Sequence, residues 1–110
     1  MSEIIEITSD GWANITYGAD KPVLIFSWCR PCKKCFAIRS MIEELVEELA
    51  DRSNICSLNF YEFQGIAIEF GIHRPESVVL IDEGEQVAEL AEPNSKDAIV
   101  ALIDQHFPKD

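Results

Sequence analysis

Basic side chains are scarce in this chain: nine Lys and Arg stand against twenty Asp and Glu, a formal net charge of −11. A surface of that sign repels phosphate backbones and anionic headgroups, which excludes nucleic-acid binding and attraction to membranes. It favours solubility and steers the protein toward basic partners. Long apolar runs are also missing, and nothing approaches the roughly 20 residues needed to span a bilayer. The opening Met1-Ser2-Glu3-Ile4-Ile5-Glu6 is acidic. It has neither a basic n-region nor an extended apolar core, so no signal peptide is expected. The two histidines, His73 and His106, have no spacing that suggests a metal pair and are expected in solvent, on a loop and at a helix end. The expected location is a reducing cytoplasm, where paired cysteines are catalytic or metal-binding rather than structural.

What remains is an ordinary globular composition, 47% apolar and 26% charged over 110 residues. That length makes residues 1–110 one domain with one core. No internal repeat, low-complexity segment or linker interrupts it. Ile4 to Thr8 reads as a first strand at an edge. Ser9-Asp10-Gly11 offers an N-cap to a short helix with Trp12, Ile15 and Tyr17 on one face. After the turn Gly18-Ala19-Asp20-Lys21-Pro22, Val23 to Ser27 is nearly all apolar and suits a central strand covered on both faces.

The clearest helical period follows. Cys35, Ile38, Ile42, Leu45 and Leu49 recur at steps of three and four, widened by Met41 and Val46, and the pattern runs to about Arg52. Glu43, Glu44, Glu47 and Glu48 take the other faces and are expected in solvent. Ile55 to Phe60 alternates as a strand, with Cys56, Leu58 and Phe60 on one face. Gln64 to Phe70 is a short helix closed by Gly71 at C′. Pro75 makes Ile72 to Glu76 a loop. Ser77–Ile81 and Gln86–Leu90 form a hairpin through Asp82-Glu83-Gly84-Glu85. A last helix carries Ile99, Leu102 and Ile103. The order β-α-β-α-β-α-β-β-α predicts an α/β fold. Its mixed sheet has about five strands, with three early crossovers of parallel type, a late antiparallel hairpin and helices on both faces.

Between the central strand and the long helix lies Ser27-Trp28-Cys29-Arg30-Pro31-Cys32-Lys33-Lys34-Cys35. Two cysteines at this spacing, at a strand-to-helix joint, suit reversible disulfide chemistry. The helix N-terminus favours a negative sulfur through its unpaired N–H groups and dipole, and the thiolate is the nucleophile in exchange. Arg30, Lys33 and Lys34 reverse the local charge of an acidic chain; Arg30 either selects acidic partners or simply sits in solvent. Cys35 extends the spacing to C-x-x-C-x-x-C, which with Cys56 would make a zinc or iron–sulfur ligand set. Both, however, fall on apolar stripes and are expected in the core.

In motif and element order the chain resembles the thioredoxin family over nearly its whole length. Trp28-Cys29-Arg30-Pro31-Cys32-Lys33 looks like that family's active-site motif, with Arg30 where glycine is usual. Phe70-Gly71-Ile72-His73, followed by a proline and an apolar strand, looks like its substrate loop. The resemblance implies a thioredoxin-like fold and a thiol–disulfide oxidoreductase in which Cys29 attacks and Cys32 resolves. Trp28, Arg30, Pro31, Arg74, Pro75 and Glu76 would bind substrate, in part through backbone hydrogen bonds to an extended partner segment. It also implies a monomer with no bound cofactor, disulfide-containing protein substrates and a separate thioredoxin-type reductase.

Three departures qualify that picture. No acid precedes the motif in Val23-Leu24-Ile25-Phe26, where the family keeps a buried carboxylate, and this segment is about two residues short. Glu76, rather than Pro75, stands at the family's cis-proline position, so either the loop shifts by one residue or the cis bond is lost. A glutamate there would disfavour a neighbouring thiolate. Ala91-Glu92 replaces the glycine usual after the last strand. These departures keep two other readings open: an adaptor with little redox turnover, and a cysteine-ligated metal protein.

Overall fold

The structure, a computed structural model, describes residues 4–8, 22–29, 33–49, 53–83, 85–91 and 95–106, and for residues 33–35 the backbone alone. The expected first helix around Trp12, Ile15 and Tyr17 lies outside the described residues. Within them the elements are β1 (Ile5–Glu6), β2 (Val23–Trp28), α1 (Lys33–Leu49), β3 (Asn54–Asn59), α2 (Gln64–Glu69), β4 (Ser77–Asp82), β5 (Glu85–Ala91) and α3 (Lys96–His106).

The five strands form one sheet in the order β1-β3-β2-β4-β5. The apolar run Val23–Phe26 occupies the centre, paired in parallel with β3 and antiparallel with β4. A strand buried on both sides has no polar face to present, and every residue from Val23 to Ser27 is buried. β1 is the edge expected of it, with only Ile5 and Glu6 in the ladder.

Successive side chains along a strand point to opposite faces, and the core divides accordingly. On one face Leu24, Phe26, Ile55, Val78 and Leu80 pack with the α1 stripe Ile38, Ile42, Leu45, Val46 and Leu49 and with Ile99, Leu102 and Ile103 of α3. On the other, Val23, Ile25, Cys56, Leu58, Val79 and Ile81 pack with Ile66, Ala67 and Phe70 around α2. Helices therefore cover both faces. Each fully buried Leu, Ile or Phe contributes about 1.5–3 kcal/mol. The glutamates of α1 lie in solvent, where Glu43 meets Arg39 at 3.8 Å and Glu44 meets Lys96 of α3 at 3.3 Å.

One topological expectation needs correction. Of the three early crossovers, the last is not of parallel type: β4 runs antiparallel to β2. The register shows how: β3 ends at Asn59 opposite Trp28 and β4 begins at Ser77 opposite Ser27, so the connection re-enters the sheet at the end where β3 left it. Its helix α2, six residues and about 9 Å long, does not by itself carry the chain the roughly 20 Å back along a strand. The hairpin to β5 is antiparallel as expected, with a register irregularity at Leu80/Ile81. Ser95 caps α3 by accepting a hydrogen bond from the Ala98 N–H at 3.2 Å.

Candidate active site

The end of β2 is held from both sides. The Phe60 N–H donates to the Trp28 carbonyl at 2.8 Å, and the Glu76 N–H donates to the Ser27 carbonyl at 2.9 Å. Cys29 follows at once, half-buried and in contact with the α1-side core, and α1 begins at Lys33. The nucleophile predicted from the motif thus sits at a fixed strand end, just ahead of the N-terminus of a 17-residue helix. Arg30, Pro31 and Cys32 lie outside the described residues, as do the side chains of Lys33, Lys34 and Cys35.

The loop before β4 comes to the same place. Arg74 is exposed and Pro75 and Glu76 are half-buried. The Arg74 carbonyl accepts two hydrogen bonds, from Ser27 Oγ at 3.2 Å and from Ser77 Oγ at 3.1 Å. Both serines are fully buried. Glu76, which the sequence match sets at the family's proline position, adopts a left-handed backbone with φ 64°. Its N–H and the Arg74 carbonyl are committed to the fold. A partner segment at this loop must pair with other groups, which narrows the backbone docking that the resemblance implied.

Ser27 and Ser77 escaped the sequence reading. Their only signal was a hydroxyl at the matching ends of two otherwise apolar strands. The missing acid is a structural fact among the described residues: their buried polar side chains are Ser27, Ser53, Ser57 and Ser77, with no carboxylate.

Cys56 is fully buried opposite Ile25 in the β2–β3 register. Desolvation pushes its thiol from an ordinary 9.0 up to about 12. A thiol so strongly held in its neutral form is neither a ready nucleophile nor a ready metal ligand. Among the described residues no group of three or more His, Cys, Asp or Glu is placed to hold a metal. His73 and His106 are exposed, as expected.

The family model for thioredoxin matches residues 3–105. The chain belongs to the thioredoxin family. It is 27% identical over 107 residues to a thioredoxin of Haemophilus influenzae, covering 97% of this chain and all of that one. It is 24% identical to the chloroplastic thioredoxin M5 of Oryza sativa, covering 96% of this chain and 62% of that protein. The solved thioredoxin of Malassezia sympodialis superposes with a TM-score of 0.84 at 24% identity, covering 96% of this chain and 92% of that one. This last likeness concerns the fold. Thioredoxins are thiol–disulfide oxidoreductases, and the present chain is an enzyme of that kind.

Proposed function

We propose that the activity runs through Cys29 and Cys32. The Cys29 thiolate attacks a substrate disulfide, forming a mixed disulfide and expelling the other substrate sulfur as a thiolate. Cys32 then attacks Cys29, so that the substrate leaves with both sulfurs reduced and Cys29–Cys32 is oxidised by two electrons. A separate reductase of thioredoxin type returns those electrons, and no bound cofactor takes part. The observation that carries this reading is the position of Cys29, fixed at the end of β2 ahead of α1. There the helix dipole and unpaired N–H groups favour its thiolate.

Substrates are disulfide-containing proteins that meet Trp28, Arg30, Pro31 and the Arg74-Pro75-Glu76 loop. The protein acts as a monomer in the cytoplasm. In keeping with that location, no described helix is long and apolar enough to cross a membrane.

Reduction of insulin disulfides with a dithiol donor tests the assignment. The wild type is expected to reduce them, Cys29→Ser to be inactive, and Cys32→Ser to accumulate a mixed disulfide. The pair should titrate as a two-thiol couple near −270 mV, roughly the value known for thioredoxin itself. Failure of the couple to appear overturns the assignment. A second reading, an adaptor with slow turnover, draws support from the absence of a buried carboxylate among the described residues and from Glu76 in place of the family's proline. It predicts substrate binding without insulin reduction.

A further inference from the structure

The side chains that β2 and β4 turn toward α2 end in hydroxyls. Alternation puts Val23, Ile25 and Ser27 in one row on β2, and Ile81, Val79 and Ser77 in the facing row on β4. The apolar members belong to the core around α2. The two serines stand opposite each other in the register, and both are fully buried. Their hydroxyls donate to a single acceptor, the Arg74 carbonyl, at 3.2 and 3.1 Å. A carbonyl oxygen has two lone pairs, and the two strands supply a donor for each.

Ser27 holds the loop a second time. Its own carbonyl accepts the Glu76 N–H at 2.9 Å. One residue of β2 thus grips the loop on either side of Pro75, which has no N–H to donate. Cys29 lies two residues further along the same chain, a span of at most ~7 Å. On the other side of β2 the Phe60 N–H donates to the Trp28 carbonyl at 2.8 Å, so the segment leading into Cys29 is fixed as well. The separation between the loop and Cys29 is therefore set by buried hydrogen bonds within a few residues of both.

We propose that Ser27 and Ser77 are positioning residues for disulfide exchange. Their shared hold on the Arg74 carbonyl keeps the Arg74-Pro75-Glu76 loop where it presents a substrate disulfide to Cys29. The inference rests on the disulfide-exchange reading and adds to it the residues that set its geometry. Both serines are buried, so they act through the loop rather than on the substrate. Reaction needs the attacking and attacked atoms about 3–3.5 Å apart and aligned, and a misplacement of about 1 Å can cost on the order of a hundredfold. The reactivity of Cys29 itself has a separate source. In this reading the N-terminus of α1 favours its thiolate, and α1 packs on the opposite face of the sheet from the serine rows. Loosening the loop should therefore impair substrate turnover and leave the thiolate as it is.

The test compares two reactions of Cys29. One is reduction of a synthetic peptide closed by one intramolecular disulfide, read as kcat/KM with a dithiol donor. The other is alkylation by iodoacetamide, a reagent too small to need the loop, followed against pH by mass mapping of Cys29. The proteins are the wild type, Ser27→Ala, Ser77→Ala, the double variant, and the pair Ser77→Thr and Ser77→Val. The last two share a shape and differ by the hydroxyl. All are measured at a temperature at which unfolding curves show them folded. Each single alanine variant should lose little, because the other hydroxyl still holds the carbonyl. The double variant should lose about tenfold or more in kcat/KM for the peptide. Starting from Ser27→Ala, adding Ser77→Thr should keep the activity of that single variant, and adding Ser77→Val should reproduce the loss. The rate and pH midpoint of Cys29 alkylation should be the same in all. Wild-type turnover by the folded double variant, or equal loss with threonine and valine, overturns the positioning role. So does a parallel loss of alkylation, which would place the effect on the thiolate. If the double alanine variant does not fold, the threonine–valine comparison in the otherwise unaltered chain decides, with valine expected to be the slower. A wild type that reduces no peptide overturns the exchange reading and this inference together.

Discussion

Ser27 and Ser77 face each other across the β2–β4 pair, and both hydroxyls end on the carbonyl oxygen of Arg74, at 3.2 and 3.1 Å. The loop before β4 is thereby fastened to the strand that leads into Cys29. Removing one donor leaves the other, so Ser27→Ala and Ser77→Ala should each cost about 1 kcal/mol. Removing both strands the acceptor. The double variant should therefore cost about 0.5–1 kcal/mol more than the sum, because the two serines share one partner. Urea unfolding of the four proteins measures this coupling, and strict additivity would show that water replaces the second hydroxyl.

The backbone at Glu76 leads to an expectation opposite to the family pattern. A proline is fixed near φ −65° and has no N–H, whereas Glu76 sits at φ 64° and donates its N–H to Ser27. Glu76→Pro should destabilise the protein by about 3 kcal/mol or more. Glu76→Asn tolerates the left-handed region and should stay within about 1 kcal/mol of the wild type. Thermal unfolding distinguishes them. A Glu76→Pro variant as stable as the wild type would mean that the loop can shift to seat the proline.

Gly71 and Gln86 close α2 together. Gly71 has φ 71°, and Gln86 Nε2 donates to the Phe70 carbonyl at 3.0 Å and the Gly71 carbonyl at 3.2 Å. A Cβ built on Gly71 would come no closer than 3.6 Å to Gln86, an ordinary contact. The cost of Gly71→Ala is therefore conformational, about 1 kcal/mol, and Gly71→Asn should recover part of it. Gln86→Ala should cost about 1 kcal/mol through the orphaned carbonyls. Hydrogen exchange at the α2 amides should accelerate in both alanine variants.

What could be read in advance follows from the range of each interaction. The α1 stripe, the apolar β2, Gly71 at C′ and the 82–85 hairpin are local patterns, and all appear in the described structure. The antiparallel return of β4 is not legible in a count of alternating elements, which does not measure at which end of the sheet the 60–76 connection re-enters. The roles of Ser27 and Gln86 are invisible for a related reason. Their partners lie 47 and 15–16 residues away. Polar groups at strand ends carry no periodicity to betray them. The proposed redox motif, Trp28 to Lys33, stands out in the sequence because it spans six consecutive residues.

The last expectation concerns Cys56, whose burial against Ile25 raises its thiol to about 12. At pH 8 the native protein should leave Cys56 unmodified by iodoacetamide while Cys29 reacts, and mass counting after digestion reads both sites. The same burial sets a stability trend at high pH. In the unfolded chain the thiol loses its proton near 9.0, but in the fold it keeps it until about 12. The native state therefore binds more protons between those values, and stability falls as pH rises through them, by at most about 1.4 kcal/mol per pH unit from this group. Below pH 9 the contribution is fully present. Cys56→Val removes the titration and keeps an apolar side chain of similar size, so its stability should decline less steeply from pH 9 to 11. Identical slopes for the two proteins would mean that the thiol ionises in place, as it could if water reached the β2–β3 core.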